Sequence, residues 1–221
     1  LYYIEVNAFR DGGALTLDDA WIAYDMGNGW KMMMGQFKVP VLREFMVHSM
    51  NQLAVERSNV AYFSGAASRT QGFAIDYMAD QFHFIASFND GALSANTPWN
   101  VENTEWSFTA RGELLLSGSW DQFEDFTSPQ GSEQGIMAGA AVHYQSSEYG
   151  TSGANSASPF ADDELKVLIL TADVSMEFDG WNLFGAFVYQ NLDADVSEDQ
   201  DNWGIVVQGG FYFTEELEGF A

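Results

Sequence analysis

Cysteine, long hydrophobic runs and basic residues are absent or scarce in this sequence. With no cysteine in 221 residues, a disulfide framework and a thiolate metal site are both excluded. No apolar run approaches the ~18 residues that a transmembrane helix needs, which excludes a helical inner-membrane protein. Only 8 Lys and Arg stand against 32 Asp and Glu, and this acid excess argues against nucleic acid as a partner. The same excess favours cations or a high-salt habitat, or is simply solubility charge.

Helical periodicity is also missing, and a two-residue alternation takes its place. Between Glu105 and Leu115 every even position is apolar or glycine, and the odd positions before Leu115 carry polar or charged side chains. All four prolines fall between such segments, as expected because proline cannot donate to a β-ladder. The pattern predicts ten strands, at 1–9, 15–26, 30–38, 71–79, 81–89, 105–115, 136–145, 166–178, 181–190 and 203–214.

The connections between these strands alternate in length. Tight turns are predicted at 27–29, 79–80 and 179–180, and long polar loops at 39–69, 90–103, 146–163 and 191–202. Short turns on one side and long loops on the other are typical of outer-membrane barrels. One segment, 116–134, is long although it belongs to the short side, so either an extra hairpin lies there or the strand assignment fails at that point.

Aromatic residues make up 15% of the chain although its mean hydropathy is slightly polar. A membrane barrel explains both properties, because each strand alternates between a lipid-facing and a water-facing side. Trp30, Trp106, Trp181 and Trp203 lie at predicted strand ends, where a membrane barrel carries its aromatic girdles. The alternative is a soluble β-sandwich, in which the same aromatics would fill a core between two sheets. The length of the alternating segments favours an all-β, transmembrane, antiparallel up-and-down barrel.

Several short motifs resemble the phosphate-selective porin O and P family. They are Leu17-Asp18-Asp19-Ala20-Trp21-Ile22-Ala23-Tyr24, then Gly35-Gln36-Phe37-Lys38-Val39-Pro40, then Glu56-Arg57-Ser58, with weaker similarity through Phe108-Thr109-Ala110-Arg111. The resemblance implies a barrel of about 16 to 18 strands. It also implies a homotrimer in the outer membrane of a Gram-negative bacterium, among lipid and lipopolysaccharide, that passes ions and small solutes.

The resemblance further implies a loop folded into the lumen as a constriction, and residues 39–69 occupy the corresponding position in one barrel domain spanning 1–221. Facing charges at such a point discriminate between ions. An exposed lid with ordinary surface charges is the alternative. The predicted residues of the constriction and lumen are Arg43, Glu44, Glu56, Arg57, Arg69, Asp76, Glu105, Arg111 and Glu113.

The sequence departs from the family in its scarcity of basic residues. Anion-selective members line their path with lysine and arginine, whereas the predicted lumen faces here carry mainly carboxylates, among them Glu5, Asp173 and Glu177. A negative lumen repels phosphate and concentrates cations. A general or cation-favouring pore is therefore expected, and an anion-selective one is not.

No catalytic constellation is visible, and the sequence predicts neither an enzyme nor a bound cofactor. His48, His83 and His143 are scattered, without the pairing of a zinc site. The acidic run Asp193, Asp195, Asp199 and Asp201 is a weak candidate for calcium, because it lacks the spacing of a calcium loop; a solvated loop is the alternative.

Two further expectations concern the ends and the runner-up function. Residues 214–221 look like an acidic, turn-like tail, and both ends suggest an excerpt of a longer chain. A non-channel β module is the second reading: an outer-membrane anchor or adhesin barrel, or a soluble acidic binding domain. A barrel enzyme is the third and weakest.

Overall fold

The structure is a computed structural model that describes residues 1–7, 15–66, 68–92, 94, 96, 104–147, 164–195 and 197–221. Eleven strands form one antiparallel sheet in which each strand pairs with its neighbours in sequence, from β1 to β11. No helix in these ranges is long and apolar enough to cross a membrane. Parts of the loops predicted at 90–103 and 146–163, with Pro98 and Pro159, lie outside the described residues.

The strands lie close to the predicted bounds. They are β1 (Tyr2–Asn7), β2 (Thr16–Gly27), β3 (Trp30–Lys38), β4 (Arg69–Met78), β5 (Phe82–Asn89), β6 (Thr104–Ser117), β7 (Gly135–Ser147), β8 (Leu165–Phe178), β9 (Trp181–Ala194), β10 (Gln200–Thr214) and β11 (Leu217–Phe220). From β2 to β10 they are 8 to 15 residues long, which suits tilted membrane strands of about 9 to 11 residues. We call the end that carries the connections at 28–29, 79–81, 118–134 and 179–180 the turn end, and the opposite end the loop end.

The two faces of the sheet differ as the alternation predicts. One face leaves large apolar side chains exposed, such as Phe108 at 41%, Ile205 at 60% and Val207 at 67%. The other face buries polar side chains, among them Ser107, Thr109, Arg111, Glu113, His143, Gln145, Thr171, Asp173 and Ser175. In the described part of the chain the apolar rows do not meet a second sheet, as a β-sandwich core would require. The all-β, up-and-down membrane fold is confirmed.

Aromatic residues collect at both ends of the exposed face. Trp30 and Tyr77 lie at the turn end with ring centroids 4.5 Å apart. Trp106 and Tyr144 lie at the loop end, 5.1 Å apart. Rings at these two levels are positioned for the two membrane–water boundaries.

Two sequence predictions are wrong. The predicted acidic tail at 214–221 contains β11, which pairs with β10 through contacts such as Phe211 with Gly219. The sequence hid this strand because it is short and its turn residues, Glu215 and Glu216, dominate the local composition. The long segment 116–134 is neither an extra hairpin nor a failure of the strand assignment: β6 and β7 pair on either side of it, and it contains a 3₁₀ helix at Trp120–Glu124.

The described residues between β3 and β4, 39–66 and 68, lie against the inner face of the sheet, and we call them the inner loop. It contains α1 (Arg43–Met46), a 3₁₀ turn (Ser49–Asn51) and α2 (Asn59–Phe63). His48 of this loop lies 3.6 Å from Glu5 on β1, while Gln190 on β9 donates to the carbonyl of Ser64. Strands far apart in the sheet thus contact the same loop, so the sheet curves around it.

Candidate pore constriction

An apolar contact holds the inner loop against the wall. Val39, Val41 and Leu42 are fully buried, and they belong to the same cluster as Ile169, Phe184 and other apolar side chains on the inner face of β8 to β10. The inner wall is therefore not polar throughout. It is apolar on β8 to β10, where the start of the loop covers it and keeps this patch out of water.

One backbone carbonyl ties the loop to two strands. The carbonyl oxygen of Val41 accepts a hydrogen bond from Thr171 Oγ1 on β8 at 2.6 Å and another from Arg111 Nη1 on β6 at 3.3 Å. Both donors are buried. Burying a carbonyl group without a hydrogen-bond partner costs free energy of folding. The two hydrogen bonds therefore fix the position of the start of the loop on the wall.

Arg43 continues the attachment from within α1. Its Nε donates to Ser175 Oγ on β8 at 2.8 Å, and its Nη2 donates to the carbonyl of Asp125 at 2.9 Å. The guanidinium also lies over the ring of Phe126, 4.9 Å from its centroid. Burial lowers the pKa of Arg43 to about 10, so the side chain stays protonated at neutral pH. Arg43 thus joins the inner loop, the wall and the 118–134 connection.

Three more cations surround Phe45 at the far side of α1. Lys38, Arg57 and Arg69 lie 5.4, 4.9 and 5.7 Å from its ring centroid. Lys38 donates to the carbonyls of Met46 and Val47, and Arg57 donates to those of Glu44 and Val47. These carbonyl groups lie in the last turn of α1 and directly after it. A positive charge is stabilising there because the free carbonyl groups at a helix C-terminus carry partial negative charge.

The carboxylate of Glu44 closes the loop on itself. Its two oxygens accept from the backbone N–H of Ser58 at 2.6 Å and from Ser58 Oγ at 2.7 Å. Ser58 in turn caps α2 by accepting from the N–H of Ala61. Two distant parts of the loop are therefore held together by a buried, charge-assisted contact.

A chain of charged side chains crosses the wall beneath the loop. Arg111 makes a bidentate pair with Asp173 at 2.7 and 2.8 Å, and its Nε donates to Glu113 at 2.8 Å. The other oxygen of Glu113 lies 2.7 Å from His83 Nδ1, and His83 Nε2 lies 3.2 Å from Asp76. The chain runs over β4, β5, β6 and β8. Positive and negative side chains alternate along it, and its central members Arg111, Asp173 and Glu113 are buried.

The comparison with known families agrees with this architecture. The family model described as "Phosphate-selective porin O and P" matches residues 4–221. The chain belongs to that family. It is an outer-membrane porin, and its family consists of channels rather than enzymes. No curated protein matches the chain.

The structure of this porin brings most of the predicted site residues to the inner loop and the wall beneath it. Arg43, Glu44 and Arg57 lie in the loop, and Arg111, Glu113 and Asp76 lie in the wall chain. Arg69 lies at the start of β4 and donates to Asp19 at 3.0 Å. The structure places two predicted residues apart from this group. Glu56 is exposed on the loop, and Glu105 is exposed at the loop end of β6, where it accepts from Ser146 at 3.1 Å.

The acidic run of the porin is spread along the loop end of β9 and β10. Asp199 accepts from the N–H of Ala194, and Asp201 accepts from Tyr189 and Asn191. Asp193 lies 4.0 Å from Lys166, and the N–H of Asp195 donates to the carbonyl of Glu164. Within the described ranges no three His, Asp or Glu side chains are grouped to hold a metal ion. Calcium binding by this run stays a prediction.

Sequence reasoning missed three contributors to the site. His83 lies on the polar face of the strand predicted at 81–89, which indicates a lumen residue, but the sequence does not indicate its contacts with Glu113 and Asp76. Lys38 was part of a family motif, but its role on the helix-end carbonyls depends on how the loop folds. The carbonyl of Val41 carries no side-chain signal at all, so no sequence pattern could have revealed it.

Proposed function

We propose that this porin forms a water-filled channel for passive diffusion of ions and small hydrophilic solutes, and that it is a general or cation-favouring pore rather than an anion-selective one. The residues at 39–69 form its constriction, within one barrel domain spanning 1–221. It has no catalytic role.

The observation that carries the proposal is that the cations near the inner loop already have internal acceptors. Arg111 is held by Asp173 and Glu113, and Arg69 by Asp19. Lys38 and Arg57 donate to backbone carbonyls of the loop. An anion that entered would have to replace these contacts, whereas phosphate selectivity needs donors that can exchange water for phosphate oxygens.

The excess of carboxylates over the whole chain supports the same direction. A net charge of −24 raises the local concentration of cations near the mouths and walls of a narrow passage. The inner wall carries Glu5, Asp19, Asp76 and Glu177 in addition to the two carboxylates bound to Arg111, which are Asp173 and Glu113. The family description names phosphate, and that selectivity is the competing prediction for this chain.

Planar-bilayer recording of the purified, intact protein tests both the channel and its selectivity. We expect stepwise conductance, and in a KCl gradient a reversal potential whose sign shows that K⁺ crosses more readily than Cl⁻. Added phosphate should leave the chloride current unchanged. A reversal potential of the opposite sign, together with block of the chloride current by phosphate, would contradict the proposed ion preference. It would show that this chain has the phosphate selectivity that the family description names.

A non-channel barrel is the second candidate, because the inner loop and the 118–134 connection both occupy the inner side of the sheet. Folded, full-length protein that gives no conductance would favour such an anchor or adhesin. We also propose that the exposed apolar face contacts outer-membrane lipid and lipopolysaccharide and that the porin assembles as a homotrimer. Crosslinking in native membranes, followed by electrophoresis, tests the assembly.

A further inference from the structure

A cavity of about 320 Å³ lies between the inner loop and the inner face of the first strands. Its wall includes Tyr3 and Glu5 from β1, Trp21 from β2, and Met33 from β3. The loop side carries Met46 and His48. A cavity of this size is large enough for a small organic molecule rather than for hydrated ions alone.

The floor of this cavity is apolar, which a water-filled passage does not require. Trp21 and Met33 pack against a buried cluster of Phe37, Ala74 and Ile85 on the inner face. The apolar wall under the start of the inner loop is covered by Val39, Val41 and Leu42. This second patch borders open space instead, since Trp21, Met33 and Ile85 all line the cavity. Apolar surface left in a polar lumen is typical of a binding surface.

A carboxylate lies beside this apolar floor. Glu5 on β1 stands opposite Asp19 on β2 in the strand register. Asp19 is engaged by Arg69 at 3.0 Å, but Glu5 has no Lys or Arg nitrogen within 4.0 Å among the described residues. Its neighbours are the hydroxyl of Tyr3, which donates at 3.3 Å, and His48 Nε2 at 3.6 Å. Asp19 and Lys38 line the same cavity, and Lys38 donates to the carbonyls of Met46 and Val47. Among the described residues Glu5 therefore has no direct Lys or Arg partner, and a cation in the cavity can approach its carboxyl group.

Two aromatic rings line the same cavity as this carboxyl group. Tyr3 and Trp21 stack with centroids 5.6 Å apart and an interplanar angle of 22°. Aromatic faces attract an organic cation through their quadrupoles, and most strongly where water is partly excluded. The cavity thus combines the carboxyl group of Glu5, aromatic rings and an apolar floor within one small volume, while Asp19 and Lys38 in its lining are bound by Arg69 and by loop carbonyls.

We propose that this cavity is a solute site for small organic cations that carry one ammonium group on an aromatic or aliphatic body. The ammonium binds Glu5, and the body lies on Trp21, Met33 and Ile85. The proposal rests on the proposed function, because it places the site beside the constriction of a channel. It also names the class of solute that binds there.

The test compares three probes of nearly equal shape and different charge: 2-phenylethylamine, 2-phenylethanol and 3-phenylpropionate. Isothermal titration calorimetry on the intact protein in detergent should show the amine binding about tenfold more tightly than the alcohol, with the propionate weakest. Glu5→Gln keeps the shape of the side chain and should weaken amine binding about tenfold without changing alcohol binding. Met33→Ala should weaken both, and Glu216→Gln, in an exposed turn, should weaken neither.

Equal binding of amine and alcohol would overturn the proposal, because the cavity would then be merely apolar. Tighter binding of 3-phenylpropionate would overturn it as well. Bilayer recordings keep this result separate from the proposed function. A conducting protein that binds no amine contradicts only the solute site, and a protein that binds the amine but never conducts contradicts only the channel.

Discussion

Arg111 on β6 reaches Asp173 on β8 across an intervening strand, and the residue between them is Gly139. Gly139 on β7 pairs with Glu113 on one side and with Asp173 on the other. A Cβ at this position would overlap with Arg111 Nη2 and would lie 2.8 Å from Asp173 Oδ1. The bidentate ion pair can form because Gly139 has no side chain, and the wall beneath the inner loop therefore depends on glycine at this position.

Gly139→Ala should therefore destabilise the folded barrel. The methyl group displaces the guanidinium and leaves two buried charges imperfectly paired, which costs about 3 kcal/mol. Urea unfolding in detergent, followed by tryptophan fluorescence, measures the loss. Gly112→Ala is the matched control, because a Cβ there would meet only Phe82 Cε2 at 3.8 Å. Equal effects of the two changes would contradict the role given to Gly139.

Removing one donor to the carbonyl of Val41 should loosen the inner loop. Thr171→Val deletes the 2.6 Å hydrogen bond while preserving the shape of the side chain, and should reduce the free energy of unfolding by about 1 kcal/mol. Faster proteolysis of the inner loop in the folded protein is the second expected effect. Thr16→Val serves as control, because the Thr16 hydroxyl has no partner among the described residues. Unchanged proteolysis in Thr171→Val would show that the apolar contact alone holds the loop.

Charge at the constriction should shift ion preference. Arg57→Gln keeps an amide donor near the carbonyls of Glu44 and Val47 but removes one positive charge. We expect the ratio of K⁺ to Cl⁻ permeability to rise roughly threefold, because one charge near a narrow passage changes the potential there. The reversal potential in a KCl gradient measures this ratio. Lys166→Gln removes an equal charge from an exposed position at the loop end of β8 and should change the ratio little. A larger shift from Lys166→Gln would place the selective region elsewhere.

Introducing a charged side chain should lower the free energy of unfolding only where the side chain contacts lipid. Val207→Arg, in the middle of β10, should cost about 2 to 4 kcal/mol when the protein folds into bilayers. Val55→Arg introduces the same side chain on the inner loop, where Val55 is 99% exposed, and should cost almost nothing. Urea titration of folding into lipid vesicles gives both values. Similar costs at the two positions would contradict a lipid-facing β10.

Most of the strand map was predictable because alternation is a local property. The bounds of β3, Trp30–Lys38, match the prediction, and those of β8 differ from it by one residue at the start. The strand β11 was missed because four residues next to an acidic turn carry too little alternation to be recognised. The 3₁₀ helix at Trp120–Glu124 was missed for a similar reason, since its placement depends on contacts with distant parts of the chain.

The site was predictable only in part. The loop position followed from the family motifs, and Arg43, Glu44 and Arg57 are indeed brought together there. Their partners could not be inferred, because Ser175, Asp125 and Ser58 reach them only after the sheet has curved and the loop has folded. Val167 and Ile169 are apolar residues on the otherwise polar face of β8. The structure explains them, because the inner loop packs over both side chains.

By itself, the amino-acid sequence determined the strands, their two faces and the order of short turns and long loops, because each depends on neighbours a few residues apart. Only the tertiary structure decided which inner surfaces are covered, which cations are already engaged, and that Glu5 borders an apolar cavity. Those features arise from side chains far apart in the chain, and their distances depend on strand register, sheet curvature and the path of one loop.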